Sequence, residues 1–257
     1  MRAIILTAGR GSRMGALTSG QPKCLTPIAG RSLLDWQLAA LRTAGLSEIA
    51  LVRGYQAECL QPDGCTFFEN PAWAETNMVT TLACAREWLE RHNCLVSYSD
   101  IVYHPDILVQ LVNHPGDLVI SYDQRWLSLW RERFINPMDD AETFRRDARG
   151  LLTGIGDRTE TLEEVQGQYM GLIKITPAGW HRICALLDGL PPEERNCLDM
   201  TSLFQRLIKG GVKISVTPVN GRWCEVDCEN DLRIYEERLT EANGWSHDWR
   251  WEIAQTA

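Results

Sequence analysis

Leu6-Thr7-Ala8-Gly9-Arg10-Gly11-Ser12-Arg13-Met14, entered from the run Ala3-Ile4-Ile5-Leu6 and followed by Gln21-Pro22-Lys23, decides how this chain is read. The apolar run has the look of a short strand. The two glycines after it let backbone N–H groups turn toward an anion with no Cβ in the way. A helix or turn starting there adds partial positive charge. Arg10, Arg13 and Lys23 add full charges, and Pro22 fixes the chain direction just ahead of Lys23. The loop is therefore expected to cradle phosphates. No Gly-Lys-Ser/Thr closes it as in a Walker loop, and no third glycine stands where the dinucleotide fingerprint needs one. The plainer alternative is a glycine-rich link between strand and helix with its arginines in water.

Outward from the loop, strand and helix signals alternate. Leu34, Leu38 and Leu41 recur at helical spacing, so residues 32–44 are expected to form an amphipathic helix capped by Ser32 and stopped by Gly45. Residues 48–52 and 65–68 are expected as strands, an alternation that builds a parallel sheet. A helix then runs to Arg91 with Met78, Leu82, Ala85 and Leu89 on its buried face and Thr76 and Asn77 where caps belong. Residues 93–97 read as a strand ending in Tyr98-Ser99-Asp100. Open α/β sheets bind ligands at the carboxyl ends of their strands, which places Asp100 to hold Mg²⁺, with a helix cap as the alternative. Further strands are expected at 117–121, 172–175 and 212–216, and helices at 106–113, 177–187 and 200–208. Trp223-Cys224-Glu225-Val226-Asp227-Cys228-Glu229-Asn230-Asp231-Leu232 then sets a second strand-end carboxylate before a helix that runs to Glu241. Asp231 suits the first turn of that helix, where negative charge is favoured.

Composition narrows the class. A chain of 257 residues, 44% of them hydrophobic, fills one α/β domain over 1–257. Its net charge of −8 argues against nucleic acid as a partner, since a polyanion meets repulsion everywhere outside the first loop. No run approaches the ~20 apolar residues of a membrane span, and the apolar start is too short for a secretory signal, so the expected location is cytoplasmic. Nine cysteines with no Cys-x-x-Cys pair read as reduced, mostly buried thiols.

The first loop with Gln21-Pro22-Lys23 resembles the signature of the nucleoside-triphosphate transferase family, whose members join a nucleotide to a sugar phosphate, phosphocholine or a phosphonate. Thr7 stands where that family usually has alanine. The helix start at Thr76-Asn77 and the stretch Glu163–Leu172 resemble the phosphocholine and phosphonate cytidylyltransferase branch. Glu225-x-Asp227-x-x-x-Asp231-Leu232 is similar to the family's closing motif. The resemblance implies a Rossmann-like three-layer α/β/α fold with a mixed, mainly parallel sheet. It also implies a nucleotide held by Leu6, Ala8, Gly9, Gly11, Ser12, Arg13, Lys23, Thr81 and Ser99, with Lys23 and Arg13 catalytic and Mg²⁺ on Asp100 and Asp227. CTP is the implied donor, with a small phosphonate or phosphate ester as acceptor. The rivals are a sugar-1-phosphate nucleotidyltransferase using another triphosphate, and a non-catalytic member that senses nucleotides.

Two tryptophans and three arginines fall within residues 122–134, and residues 124–148 read as an excursion over the acceptor. A zwitterionic acceptor needs a cation site at one end and an anion site at the other. Ring faces of Tyr122, Trp126, Trp130, Tyr169 and Trp223 are expected around the cation, with Asp123 or Glu225 supplying charge and Arg133 reaching the phosphonate. On this reading a primary amine of the aminoethylphosphonate kind is favoured over choline. The tail 245–257, with Trp245, Trp249 and Trp251, is expected to dock on the body or on a second subunit, which leaves a homo-oligomer open.

Overall fold

The computed structural model describes residues 1–241 and 244–252. Strand β1 (Arg2–Thr7) lies in the middle of the sheet. Its Ala3 and Ile5 enter one apolar cluster and its Ile4 and Leu6 the other, so the strand is buried on both faces, as a parallel sheet between helices requires. On one side, parallel to one another, follow β2 (Ile49–Arg53) and β3 (Cys65–Glu69). On the other lies parallel β4 (Cys94–Tyr98), next to which β9 (Gln168–Ile175) runs antiparallel. Beyond it come β6 (Leu118–Asp123) and β10 (Ser215–Val219), which return to the direction of β1. The seven-stranded order is β10-β6-β9-β4-β1-β2-β3. Helices α1 (Leu33–Thr43), α4 (Pro105–Asn113), α5 (Trp126–Arg133) and α9 (Glu229–Thr240) share the cluster of Ala3 and Ile5. Helices α2 (Met78–Ala83), α3 (Arg86–Arg91), α6 (Pro177–Asp188) and α8 (Met200–Lys209) share the cluster of Ile4 and Leu6, with α7 (Pro192–Cys197) set against α2. The fold is thus the three-layer α/β/α architecture with one antiparallel strand.

Local chemistry sets most boundaries where the sequence places them. The Ser32 hydroxyl accepts from the Asp35 amide at 3.0 Å and opens α1, and Gly45 closes it at φ 83°. Three expectations change, the first being that the strand expected at 212–216 runs instead from Ser215 to Val219. The helix from Met78 to Arg91 is two helices, broken at Cys84 and Ala85, where neither proline nor glycine marks the break. Strand β6 extends two residues past Ser121, so Tyr122 and Asp123 are sheet residues, in register with Pro218 and Val219. All nine cysteines are free thiols, with Cys24, Cys94 and Cys224 buried but Cys59 and Cys197 exposed.

Two antiparallel ribbons sit above the sheet: β5 (Ile101–Tyr103) with β11 (Trp223–Glu225), and β7 (Glu142–Arg146) with β8 (Leu152–Arg158). The tail packs on the body: Trp249 is buried edge-on to Trp36 with ring centroids 6.2 Å apart, and Trp245 lies 5.5 Å from Tyr235. Residues 253–257 of the expected tail lie outside the described residues. Among the described residues no helix is long and apolar enough to cross a membrane.

The Asp123 carboxylate anchors this tail. It accepts from the amides of Arg125 and Gly221, each at 2.9 Å, and meets His247 Nε2 at 2.8 Å with both side chains fully buried. Burial works against its charge, but His247 and the two amides outweigh that and hold its pKa below the ordinary value. Asp123→Ala should therefore lower unfolding free energy by about 3 kcal/mol in urea titrations at pH 7. A folded pKa below the unfolded one gives stability that is lost as pH falls, so the gap between variant and wild type should narrow below about pH 4.

Candidate active site

The two carboxylates of the site stand far apart in the chain, and the small ribbon brings them together. Asp100 ends the turn between β4 and β5, while Asp227 follows the end of β11. Pairing of Ile101 with Glu225, and a 2.9 Å hydrogen bond from the Val226 amide to the Asp100 carbonyl, set both side chains at one place above the carboxyl end of β4.

Lys23 lies between them. Its Nζ donates to Asp100 Oδ2 and to Asp227 Oδ1, each at 3.0 Å, and the side chain is 8% exposed. Burial opposes an ammonium, yet the two carboxylates outweigh it and hold the Lys23 pKa above its ordinary value. Gly11 makes this approach possible. At φ 72° it lies in the left-handed region, and a Cβ there would fall 2.6 Å from Lys23 Cβ and 2.7 Å from its Cδ. Arg13, largely exposed, donates to Asp227 Oδ1 at 2.8 Å.

Behind this cluster lies a second layer of charge. The Arg133 Nε and Nη2 bond both oxygens of Asp231 at 3.0 and 3.2 Å, and Nη2 also reaches Asp227 Oδ2 at 3.3 Å. Asp231 in turn accepts from the amides of Asp227 and Cys228, fixing the loop that carries Asp227. Burial, the neighbouring Asp227 and a hydrogen bond to it push the Glu225 carboxyl well above the carboxylate range. Burial also opposes charge on Asp227, but that bond together with Lys23 and Arg13 holds it ionised with a lowered pKa. Three cations, Lys23, Arg13 and Arg133, thus stand among Asp100, Asp227, Asp231 and Glu225.

Two adjoining cavities open from this point. The first, of 230 Å³, is lined by Leu6, Gly9, Gly11, Ser12, Arg13, Lys23, Ser99 and Asp100 from the expected set, with Met78 and Tyr98 added. Ala8 lies beneath the loop, its carbonyl accepting from the Tyr55 amide. Thr81 is a correction: its hydroxyl is buried and accepts from Asn70 Nδ2 at 3.0 Å, away from the cavity, and Met78 is the residue of α2 that reaches it. The second cavity, of 370 Å³, shares Arg13, Met78 and Tyr98 and continues past Glu225 and Asp227. Of the expected acceptor residues, Trp130, Tyr169 and Glu225 line it.

The other acceptor expectations do not hold. Tyr122 is buried in the sheet and stacked on Phe144 with centroids 4.7 Å apart. Asp123 is enclosed by its own partners, Trp126 is buried edge-on to Trp130, and Trp223 is fully buried beside Trp130. Arg133 is the internal counter-ion of Asp231 and Asp227, between the rings of Trp130 and Phe134, and does not line the cavity. In their place the cavity presents Asp140, Glu142, Arg158 and Asp199. Glu142 and Arg158 come from the β7–β8 ribbon, Asp140 from the turn before it and Asp199 from the cap of α8, segments without a recognisable motif. The expected excursion 124–148 does reach this cavity, through Trp130, Asp140 and Glu142.

The donor set fits a divalent cation. Both carboxylates already converge on one positive centre, Lys23 Nζ, and Asp100 Oδ1 is buried without a hydrogen-bond partner. Mg²⁺ takes one or two carboxylates and completes its shell with water and phosphate, and two carboxylates are what Asp100 and Asp227 supply.

Comparison with known proteins places this geometry. A family model described as a MobA-like NTP transferase domain matches residues 3–165. The CTP:phosphoglutamine cytidylyltransferase of Campylobacter jejuni is 35% identical over 254 residues, which is 93% of this chain and 100% of that one. The 2-aminoethylphosphonate cytidylyltransferase of Lancefieldella rimae is 29% identical over 138 residues, 47% of this chain and 56% of that one. The solved inositol-1-phosphate CTP transferase of T. maritima superposes with a TM-score of 0.73, covering 95% of this chain and 98% of that chain, and at 17% identity shares the fold.

Burial raises the pKa of Glu142 to about 7, with the nearby Asp199 adding to the shift and Arg158 opposing it. A carboxyl that holds its proton more tightly when folded costs stability as pH rises from about 4.5 to 7. Glu142→Gln should accordingly gain about 2 kcal/mol on wild type between pH 5 and pH 8, read from urea unfolding at the two values.

Proposed function

The chain belongs to the MobA-like NTP transferase family and is a nucleotidyltransferase, and from that premise we propose a Mg²⁺-dependent cytidylyltransferase acting on a small phosphonate or phosphorylated acceptor. CMP would pass from CTP to the acceptor with release of pyrophosphate. The observation that carries the reading is Lys23, held between Asp100 and Asp227 where the glycine loop and the two cavities meet.

The triphosphate lies along the first cavity, where the amides of residues 9–13 and Arg13 hold it and the pyrophosphate that leaves. The acceptor enters the second cavity, and one of its phosphate or phosphonate oxygens attacks the α-phosphorus in line with the departing oxygen. No strong base is needed, because a phosphomonoester with a second pKa of ~6 is already ionised. Lys23 exchanges its carboxylate partners for an α-phosphate oxygen and offsets the charge that grows there. Asp100 and Asp227 would hold Mg²⁺, which supplies charge neutralisation between the two anions. Catalysis in this scheme is positioning plus charge neutralisation.

The discriminating experiment is a matrix of the four nucleoside triphosphates against 2-aminoethylphosphonate, phosphocholine, phosphoglutamine, glycerol phosphate and a hexose 1-phosphate, read as pyrophosphate. Turnover confined to CTP and a small acceptor is expected. Turnover only with a hexose 1-phosphate would replace the reading, and none with any pair would leave a sensor. Lys23→Ala should lower turnover at least ~10²-fold with its urea midpoint resolved in the same samples to show a folded chain. Asp100→Asn and Asp227→Asn should each raise the Mg²⁺ needed for half-maximal rate, and the double variant should lose far less than the product of the single losses. Losses that multiply would mean that the two carboxylates do not share one ion.

A further inference from the structure

The second cavity holds an ion pair that the fold leaves open. Glu142 and Arg158 are paired across the β7–β8 ribbon and near enough for Arg158 to oppose the upward shift of Glu142, yet Arg158 donates to the Asp139 carbonyl and not to Glu142. Arg158 uses one donor, Nη1, on the Asp139 carbonyl at 2.6 Å, and lies exposed with its remaining N–H groups unspent. The Glu142 carboxylate accepts no hydrogen bond among the described residues. Asp199 spends Oδ1 on the Ser202 amide at 2.7 Å, capping α8, and Asp140 spends Oδ2 on Trp130 Nε1 at 3.1 Å. Each keeps its other oxygen. One wall thus offers carboxylate oxygens and its rim a guanidinium, in a chamber that begins at Asp227 and Arg13, where the reacting phosphorus would lie.

Resting on the cytidylyltransferase reading, we infer that the acceptor carries an amino-acid head group: Glu142, assisted by Asp199 and Asp140, takes its ammonium and Arg158 its carboxylate. An ammonium has three donors to place; Glu142 is its direct partner, and Asp199 and Asp140, on the same wall with open oxygens, favour it by their charge, since among the described residues no three carboxylates converge on one point. A trimethylammonium has none and asks for ring faces, but Tyr122, Trp126 and Trp223 are in the core. A simple aminoalkyl phosphonate would satisfy the acids and leave the guanidinium unanswered. A carboxylate without an amine would meet Arg158 and be repelled by the acidic wall. The head group that answers both signs is a zwitterion at the end away from the phosphate, in a cavity of 370 Å³ that suits an acceptor of amino-acid size.

Three related phosphates isolate the two charges. Phosphoserine carries both, phosphoethanolamine lacks the carboxylate, and 3-phosphoglycerate has a hydroxyl in place of the ammonium. With CTP and Mg²⁺, kcat/KM should be at least ~10-fold higher for phosphoserine or phosphoglutamine than for phosphoethanolamine, the scale of one charge-assisted bidentate contact, and lowest for 3-phosphoglycerate. Arg158→Gln should erase the preference for phosphoserine over phosphoethanolamine, and Glu142→Gln the preference over 3-phosphoglycerate. Both readouts are ratios within one protein sample and do not depend on the fraction folded. Phosphoethanolamine, 2-aminoethylphosphonate or phosphocholine used as well as the amino-acid phosphates would overturn the inference while leaving a cytidylyltransferase. Preferences unmoved by either substitution would overturn it as well, and no pyrophosphate with any acceptor would sink both readings together.

Discussion

The ammonium of Lys23 between Asp100 and Asp227 is the contact on which the rest of the site depends. Two carboxylates gathered at one buried point repel each other, and an isolated ammonium at the same depth would shed its proton. Each makes the other tolerable. The arrangement needs the stem of Lys23 to run directly under the first loop, which is why Gly11 has no room for a side chain. It also needs Asp227 to hold its place against solvent. That is the work of Asp231, whose carboxylate takes two loop amides, and of Arg133, which ties Asp231 and Asp227 from behind.

The sheet explains why this cluster forms where it does. β1 and β4 are parallel neighbours, so the glycine loop leaving one and the Asp100 turn leaving the other emerge at the same edge. β9 runs the opposite way beside β4 and presents Tyr169 and Gly171 to the second cavity, where Gly171 at φ 76° lets the ring of Tyr98 lie against the backbone. The single reversed strand thereby helps to give the cleft its second chamber. The β5–β11 ribbon then closes the far side by delivering Asp227.

The parts of this arrangement that were legible in the sequence are those in which one short segment carries its own chemistry. Glycines with flanking cations mark a phosphate loop, and a carboxylate at the end of an apolar run marks a strand-end site, so Lys23, Asp100 and Asp227 stand out without a structure. The acceptor side was misread for a physical reason. Tyr122 and Asp123 look like the start of a loop because β6 continues past its apolar stretch, and only pairing with β10 reveals them as sheet residues. Arg133 looks like a surface donor because its partners lie about a hundred positions away. Glu142, Arg158 and Asp199 were missed because charged residues in a ribbon and at a helix cap are ordinary until folding sets them around one space.

The open charges of the second cavity contrast with the closed cluster of the first, and the difference separates catalysis from selection. At Lys23 every charge has a counter-charge in the folded chain, so binding phosphates amounts to an exchange of partners with little desolvation left to overcome. Around Glu142 and Arg158 the chain withholds that pairing, although the ribbon register sets the two residues face to face. A pair closed between them would make the wall self-sufficient and indifferent to what enters. Left apart, the two are free to meet a ligand: one that lacks an ammonium leaves the half-buried Glu142 unanswered, and one that lacks a carboxylate forgoes the contact with the exposed Arg158. Discrimination of this kind would come from the penalty on the wrong partner, and under the proposed function it would fall to the more exposed chamber and not to the buried cluster at Lys23.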